Sequence, residues 1–190
     1  MERREIAVFM KTSVISVLLV LCTILLSGNT INLGDNGSGI VKYPPVSTFK
    51  SSCARCHGPQ GASFGEDFGK LPQRELERFI RLMMKGPGGL NPNKADIDAM
   101  IAYSQALAKH RPFIFITSAD TLTNTISYSG ESLPGTTLSL TSQGETLQIK
   151  TGKDGKWRTG PVAPSGHFIF IAVDKTDTVR LEPGKALWTN

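Results

Sequence analysis

The rhythm of apolar and polar positions changes three times along the chain of 190 residues. Residues Val14 to Leu26 (VISVLLVLCTILL) form an unbroken apolar run, with Arg3, Arg4 and Lys11 before it and the small pair Ser27-Gly28 after it. That is the layout of a signal peptide. Counted from Ile6, the stretch reaches 21 residues, interrupted by Lys11 and Thr12, which matches the ~20 needed to span a bilayer as an uncleaved anchor. No A-x-A-like cleavage site decides between the two, so residues 1–27 are read as a signal peptide or membrane anchor. In both readings the basic residues stay in the cytoplasm and the rest is exported, to the periplasm or the outer face of the membrane. Cys22 is an ordinary residue of the run, because Leu21 stands where lipidation needs a small side chain.

Residues 28–44 are rich in Gly, Asn, Ser and Pro without periodicity, as a linker is. From Pro45 the period is helical. In Arg74 to Lys85, Leu76, Phe79, Ile80 and Met83 recur at i, i+3, i+4 and i+7, the stripe of an amphipathic helix stopped by Gly86-Pro87-Gly88-Gly89. A further helix follows Asn91-Pro92-Asn93, with Asp96 and Asp98 in the first turn where carboxylates suit the macrodipole, and ends at Arg111-Pro112. Beyond Pro112 the period is two: FIFIT (113–117), TNTISY (123–128), TTLSL (136–140), TLQIK (146–150), HFIFIAV (167–173) and TVRL (178–181), divided by turn signals. The pattern predicts two domains, an all-α domain at 45–111 followed by a small all-β sandwich at 112–190.

Composition narrows the classes of function. The chain is 39% hydrophobic, enough for a core, and its 19 Gly and 11 Pro speak for many turns. The net charge of +5 is carried mostly by residues 28–111, where eleven Lys and Arg face seven acids. Without a basic run or interleaved aromatics this surplus does not point to nucleic acid. It supports a modest docking face for a protein partner, formed by Lys50, Arg55, Lys70, Arg74, Arg78, Arg81 and Lys85, and equally an ordinary solvated surface.

The chemistry concentrates in Cys53-Ala54-Arg55-Cys56-His57. A redox-active disulfide needs a βαβ setting that is absent here. Zinc needs four ligands, and the exported chain offers no second cysteine pair, only His110 and His167. Covalent haem remains: two thiols three residues apart on one helical turn meet the two vinyl groups, and the next histidine reaches the iron. The bland readings of the other candidates are structural. Trp157 and Trp188 suit a core or interface, and Asp154-Gly155 is a hairpin turn signal.

With Phe49 upstream, CARCHGPQG (53–61), an amphipathic middle helix, a Gly/Pro-rich loop and ADIDAMIAYSQAL (95–107), residues 45–111 resemble a monohaem class I c-type cytochrome. Gly130 to Val173 more weakly resembles the immunoglobulin-like or carboxypeptidase-regulatory-like β-sandwich modules of exported bacterial proteins. The first resemblance implies a cytochrome c-like all-α fold around one haem c, with Cys53 and Cys56 holding it and His57 as the proximal iron ligand. It also implies a methionine as the sixth ligand, from the loop before the last helix, but that place holds Leu90. The expectation falls on Met84, beside the stripe and next to the glycine break, with Met83 as runner-up; Met100, His110 and an open site are further alternatives.

The function so implied is extracytoplasmic electron transfer by one covalent haem c, an electron carrier or redox subunit rather than an enzyme, serving a redox partner protein. One alternative is a haem protein with an open distal site that binds a small ligand or acts as a peroxidase. Another is an interaction module whose haem is accessory.

Overall fold

Strand-forming sequence dominates the described part of the chain. The computed structural model describes residues 40–61, 67–164, 166–175 and 177–189, so the expectations for the N-terminal run, for Cys22 and for most of the linker lie outside it. Among the described residues no helix is long and apolar enough to cross a membrane. The strands are β1 (Ile114–Leu122), β2 (Thr125–Ser132), β3 (Thr137–Ser142), β4 (Glu145–Ile149), β5 (Lys156–Arg158), β6 (Phe168–Asp174), β7 (Asp177–Leu181) and β8 (Trp188–Thr189). They form two four-stranded sheets, ordered β5-β2-β1-β8 and β4-β3-β6-β7, and every pairing between neighbours is antiparallel.

Alternation explains how the sheets meet. Ile114, Ile116, Ile126, Tyr128 and Trp157 of the first sheet and Leu138, Leu140, Phe168, Phe170, Ala172, Val179 and Leu181 of the second share one buried core. Its centre is aromatic: Tyr128 stands edge-on to Phe170 with centroids 5.3 Å apart, and Trp157 lies 5.1 Å from the same ring. Trp157 is therefore core. Gly130 of β2 makes its approach possible, since a Cβ there would come within 2.2 Å of both the Trp157 ring and the Phe115 carbonyl.

Among the described residues the helical part is three short segments and a 3-10 turn (Phe68–Lys70), and they do not make an all-α cytochrome domain. The first is one continuous stretch of α1 (Pro45–Thr48), a π-helical turn (Phe49–Cys53) and α2 (Ala54–His57); the others are α3 (Gln73–Lys85) and α4 (Lys94–Ala108). The expected fold class is thereby corrected: the described residues are mainly β, eight strands in two sheets, with these helices laid against one of them. The physical reason is burial. Three short helices cannot enclose their own apolar faces, and β1 closes the gap: Phe113 and Phe115 belong to the same buried cluster as Phe49, Leu76, Ile80, Met84, Ile97, Met100 and Tyr103. The rings run on from layer to layer, Phe49 to Tyr103 at 5.5 Å, Tyr103 to Phe113 at 5.3 Å, and Phe115 stacked on Trp188 at 6.1 Å.

Polar groups fasten the same seam. Glu131 of β2 is buried, and its carboxylate accepts from the backbone N–H of Val46 (2.9 Å) and of Ser47 (3.3 Å), capping a helix whose own N-cap, Pro44, offers no side-chain oxygen. Arg111 at the end of the helical part donates to Asp177 of β7 at 2.6 Å. Asp96 forms a capping box with Asn93 at the start of α4, and its carboxylate also accepts from the N–H groups of Lys42 (2.6 Å) and Tyr43 (3.0 Å). The arriving chain is thus pinned to α4 before α1 begins.

The stripe of α3 is narrower than its sequence predicts. Leu76, Ile80 and Met84, at i, i+4 and i+8, are buried, while Phe79 is 38% exposed and Met83 only half-buried. One row of side chains suffices because α3 packs along a single line against its neighbours.

Candidate functional site

Cys53, Cys56 and His57 follow one another on the helical stretch that begins at Pro45. The stretch is helical because Pro45 has its φ preset at the first position and Glu131 caps the exposed N–H groups from the sheet. It ends at Gly58, whose φ of 74° leaves the right-handed region, and Gly61 N–H closes the following turn on the Gly58 carbonyl at 3.1 Å. Phe49 and the ring of Tyr103 hold its inner face to α4. The two thiols differ in setting: Cys53 is half-buried and Cys56 exposed, and neither is in a disulfide. Burial, with the neighbouring Cys56 second, pushes the Cys53 thiol above its ordinary value of 9.0.

Beside His57 lies a small apolar recess with room for only about 20 Å³. Cys53 and His57 form one side; Phe79, Ile80, Met83 and Met84 of α3 and Met100 and Ser104 of α4 form the rest, with Phe49 between. The structure therefore brings Cys53, His57, Met83 and Met84 to one place. Cys56 is next to it in sequence but is not part of the recess wall. Leu90 packs against the helical core and does not line the recess. Met84 is 1% exposed, a core residue as well as a wall residue. His110 stands at the far end of α4, outside this recess.

Sequence reasoning passed over Ser104. Its Oγ is buried without a hydrogen-bond partner among the described residues and sits in the recess wall. An i, i+4 spacing from Met100 on a helix was the available signal.

The donor set suits a c-type haem. It has two thiols and an imidazole on one helical run, an apolar wall, thioethers in that wall, and an unsatisfied hydroxyl facing the same space. At about 20 Å³ the recess is far below the about 300–1,000 Å³ of small-molecule pockets and does not hold a porphyrin, so what suits haem here is the set of donors and the apolar wall, not the space. Zinc fits worse: among the described residues no three His, Cys, Asp or Glu side chains converge as its ligands would.

Of the cations expected to form a docking rim, Arg74, Arg78, Arg81 and Lys85 lie on α3 and Lys70 just before it, while Lys50 and Arg55 belong to the first helical stretch. Lys50, Arg55, Lys70, Arg74, Arg78 and Lys85 are exposed and Arg81 is half-buried, with Lys70 engaged by Asp67 at 2.9 Å. Among them Phe79 and Leu82, 38% and 58% exposed, present apolar surface beside the recess. No protein-family model, curated protein or solved structure matches the chain.

Proposed function

We propose that this chain is an extracytoplasmic electron-transfer protein carrying one covalent haem c. The observation that carries the reading is the placement of Cys53 and His57, from the single CARCH string, on the wall of an apolar recess faced by methionines of two other helices. Cys53 and Cys56 would hold the haem through their sulfurs, His57 would bind the iron proximally, and Met84 would close the distal side with Met83 as the alternative. A bound haem supplies a one-electron couple, with no bond chemistry asked of the protein. The protein's own part is to exclude water and to orient the ligands: Phe49, Ile80 and Met100 keep the recess apolar, and the capped helix fixes His57 relative to α3 and α4. Export rests on the apolar run at residues 14–26 behind its basic residues.

The exposed pair Phe79 and Leu82, ringed by Arg74, Arg78, Arg81 and Lys85, supports docking to an acidic redox partner. A small apolar centre within a charged rim gives fast, weak encounter, and its salt dependence distinguishes it from tight assembly. The mainly β fold leaves the reading intact, because the chemistry resides in the helical stretch at residues 45–57 and its neighbours, and the sandwich serves as their platform.

A second reading, small-ligand binding at an open distal position, is favoured by the unsatisfied Ser104 hydroxyl and by the absence of Leu90 from the recess. The optical spectrum of the purified haem form separates the two. Met84→Leu removes the sulfur at nearly constant volume, at a cost below about 1.5 kcal/mol. The electron-transfer reading expects a low-spin wild type that turns high-spin in Met84→Leu while the haem stays attached. The same change produced by Met83→Leu instead moves the ligand to Met83, and a high-spin wild type contradicts methionine ligation and supports the open site.

A further inference from the structure

Where the helices meet the sandwich there is a second, larger cleft, of about 720 Å³, within the range of small-molecule sites. Its floor is apolar, built from Phe49, Tyr103, Leu107 and Leu133. Phe49 is also a wall of the His57 recess and so borders both spaces. Three lysines line the cleft from three separate segments: Lys50 from the helical stretch, Lys153 from the turn between β4 and β5, and Lys175 from the turn between β6 and β7. The carboxylates present are Asp154 and Asp174, and Asp154 already accepts the N–H of Lys156 at 3.1 Å within its own turn. His110 lines the cleft as well.

The backbone carrying two of these side chains is unusual. His110 has φ 53° and closes α4 in a Schellman motif, Arg111 N–H bonding the Ala106 carbonyl at 2.9 Å and His110 N–H that of Leu107 at 3.2 Å. Glycine is the least costly residue at that position. Lys175, with φ 34°, sits in the two-residue connection of β6 and β7, where Gly, Asn or Asp is usual. Two of the four left-handed non-glycine residues recorded among the described ones thus line this cleft. Such conformations gather where a side chain is needed at a site.

We propose that the junction cleft binds a small organic anion with a flat apolar body, the class of an aromatic carboxylate. The rings of Tyr103 and Phe49 and the side chains of Leu107 and Leu133 take the apolar body, and the lysines at the mouth take the charge. The site does not depend on haem, and its ligand would contact the helical layer and the sandwich together.

The test is isothermal titration of the full exported chain with 2-naphthoate and, separately, with uncharged 2-naphthalenemethanol. The expected result is saturable 1:1 binding of the carboxylate, at least tenfold weaker binding of the alcohol, and at least tenfold weaker binding of the carboxylate by Lys153→Glu/Lys175→Glu. Both lysines are exposed, and an unchanged thermal transition confirms that the variant is folded; Lys153→Ala/Lys175→Ala replaces it if the transition moves. No saturable binding of the carboxylate, equal binding of the alcohol, or full affinity in the lysine variant would overturn the proposal.

Discussion

The same tetrapeptide, Phe-Ile-Phe-Ile, occurs at residues 113–116 and 168–171, and the two copies are used in opposite ways. At the start of β1 both faces are buried: Ile114 and Ile116 enter the sandwich core, and Phe113 and Phe115 enter the helical layer on the other side. In β6 the phenylalanines fill the sandwich core and Ile169 and Ile171, on the outer face, are only half-buried. One string is an internal wall between two cores, the other an ordinary half-buried strand. What differs is the layer that packs outside, and no local pattern within four residues encodes it.

Substitutions along the two strings should break that comparison open. Phe115→Ala and Phe170→Ala should each cost about 3–5 kcal/mol in denaturant unfolding, because both rings are fully enclosed. The isoleucines should separate: Ile116→Val should cost about 0.5–1.5 kcal/mol, whereas Ile171→Val should stay within about 0.5 kcal/mol of wild type. Equal losses at the two isoleucines would mean that the outer face of β6 is covered.

Glu131 sharpens the comparison one strand further in. It pairs across from Phe115 and faces the same helical layer, so Glu131→Ala leaves the N–H groups of Val46 and Ser47 without their acceptor. The expected loss is about 1.5–3 kcal/mol, measured by denaturant unfolding, with Glu131→Gln losing less because it retains one acceptor oxygen. An unchanged midpoint in Glu131→Ala would show that the seam does not depend on this cap.

The rhythm of two was legible in β1, β2, β3, β4, β6 and β7, whose residues overlap the alternating runs, and the turn residues marked their boundaries. β5 (KWR) and β8 (WT) were not legible, being too short to show a period. The helices at 73–85 and 94–108 were legible through their stripe and through the Asn93/Asp96 start signal. Their assembly was not. An all-α domain was expected because the helices and strands segregate along the chain, and FIFI at residues 113–116, identical to the string in β6, does not reveal that its phenylalanines face a helical layer. The candidate site followed from CARCH alone, whereas Ser104 and the half-burial of Met83 depend on packing that a helical wheel does not determine.

The smallest expected effect lies at the outer edge of the seam. The Arg111 side chain, hydrogen-bonded to Asp177, followed by the Thr178 N–H, holds the Asp177 carboxyl below its ordinary value of 3.8. A lowered carboxyl favours the folded state above the ordinary value, and that contribution fades as pH falls through the folded-state value beneath it. Asp177→Asn should therefore bring its melting temperature closest to that of wild type below pH 3.8 and show its deficit above it. A deficit confined to acid would have the wrong sign.

The central claim is covalent haem at Cys53 and Cys56, and intact-protein mass spectrometry tests it most directly. Chain matured in a host that exports it and attaches haem c should carry the mass of one haem, retained after acid–organic extraction and lost in Cys53→Ala/Cys56→Ala. A native chain of unmodified mass, with both thiols open to alkylation or joined in a disulfide, would contradict it.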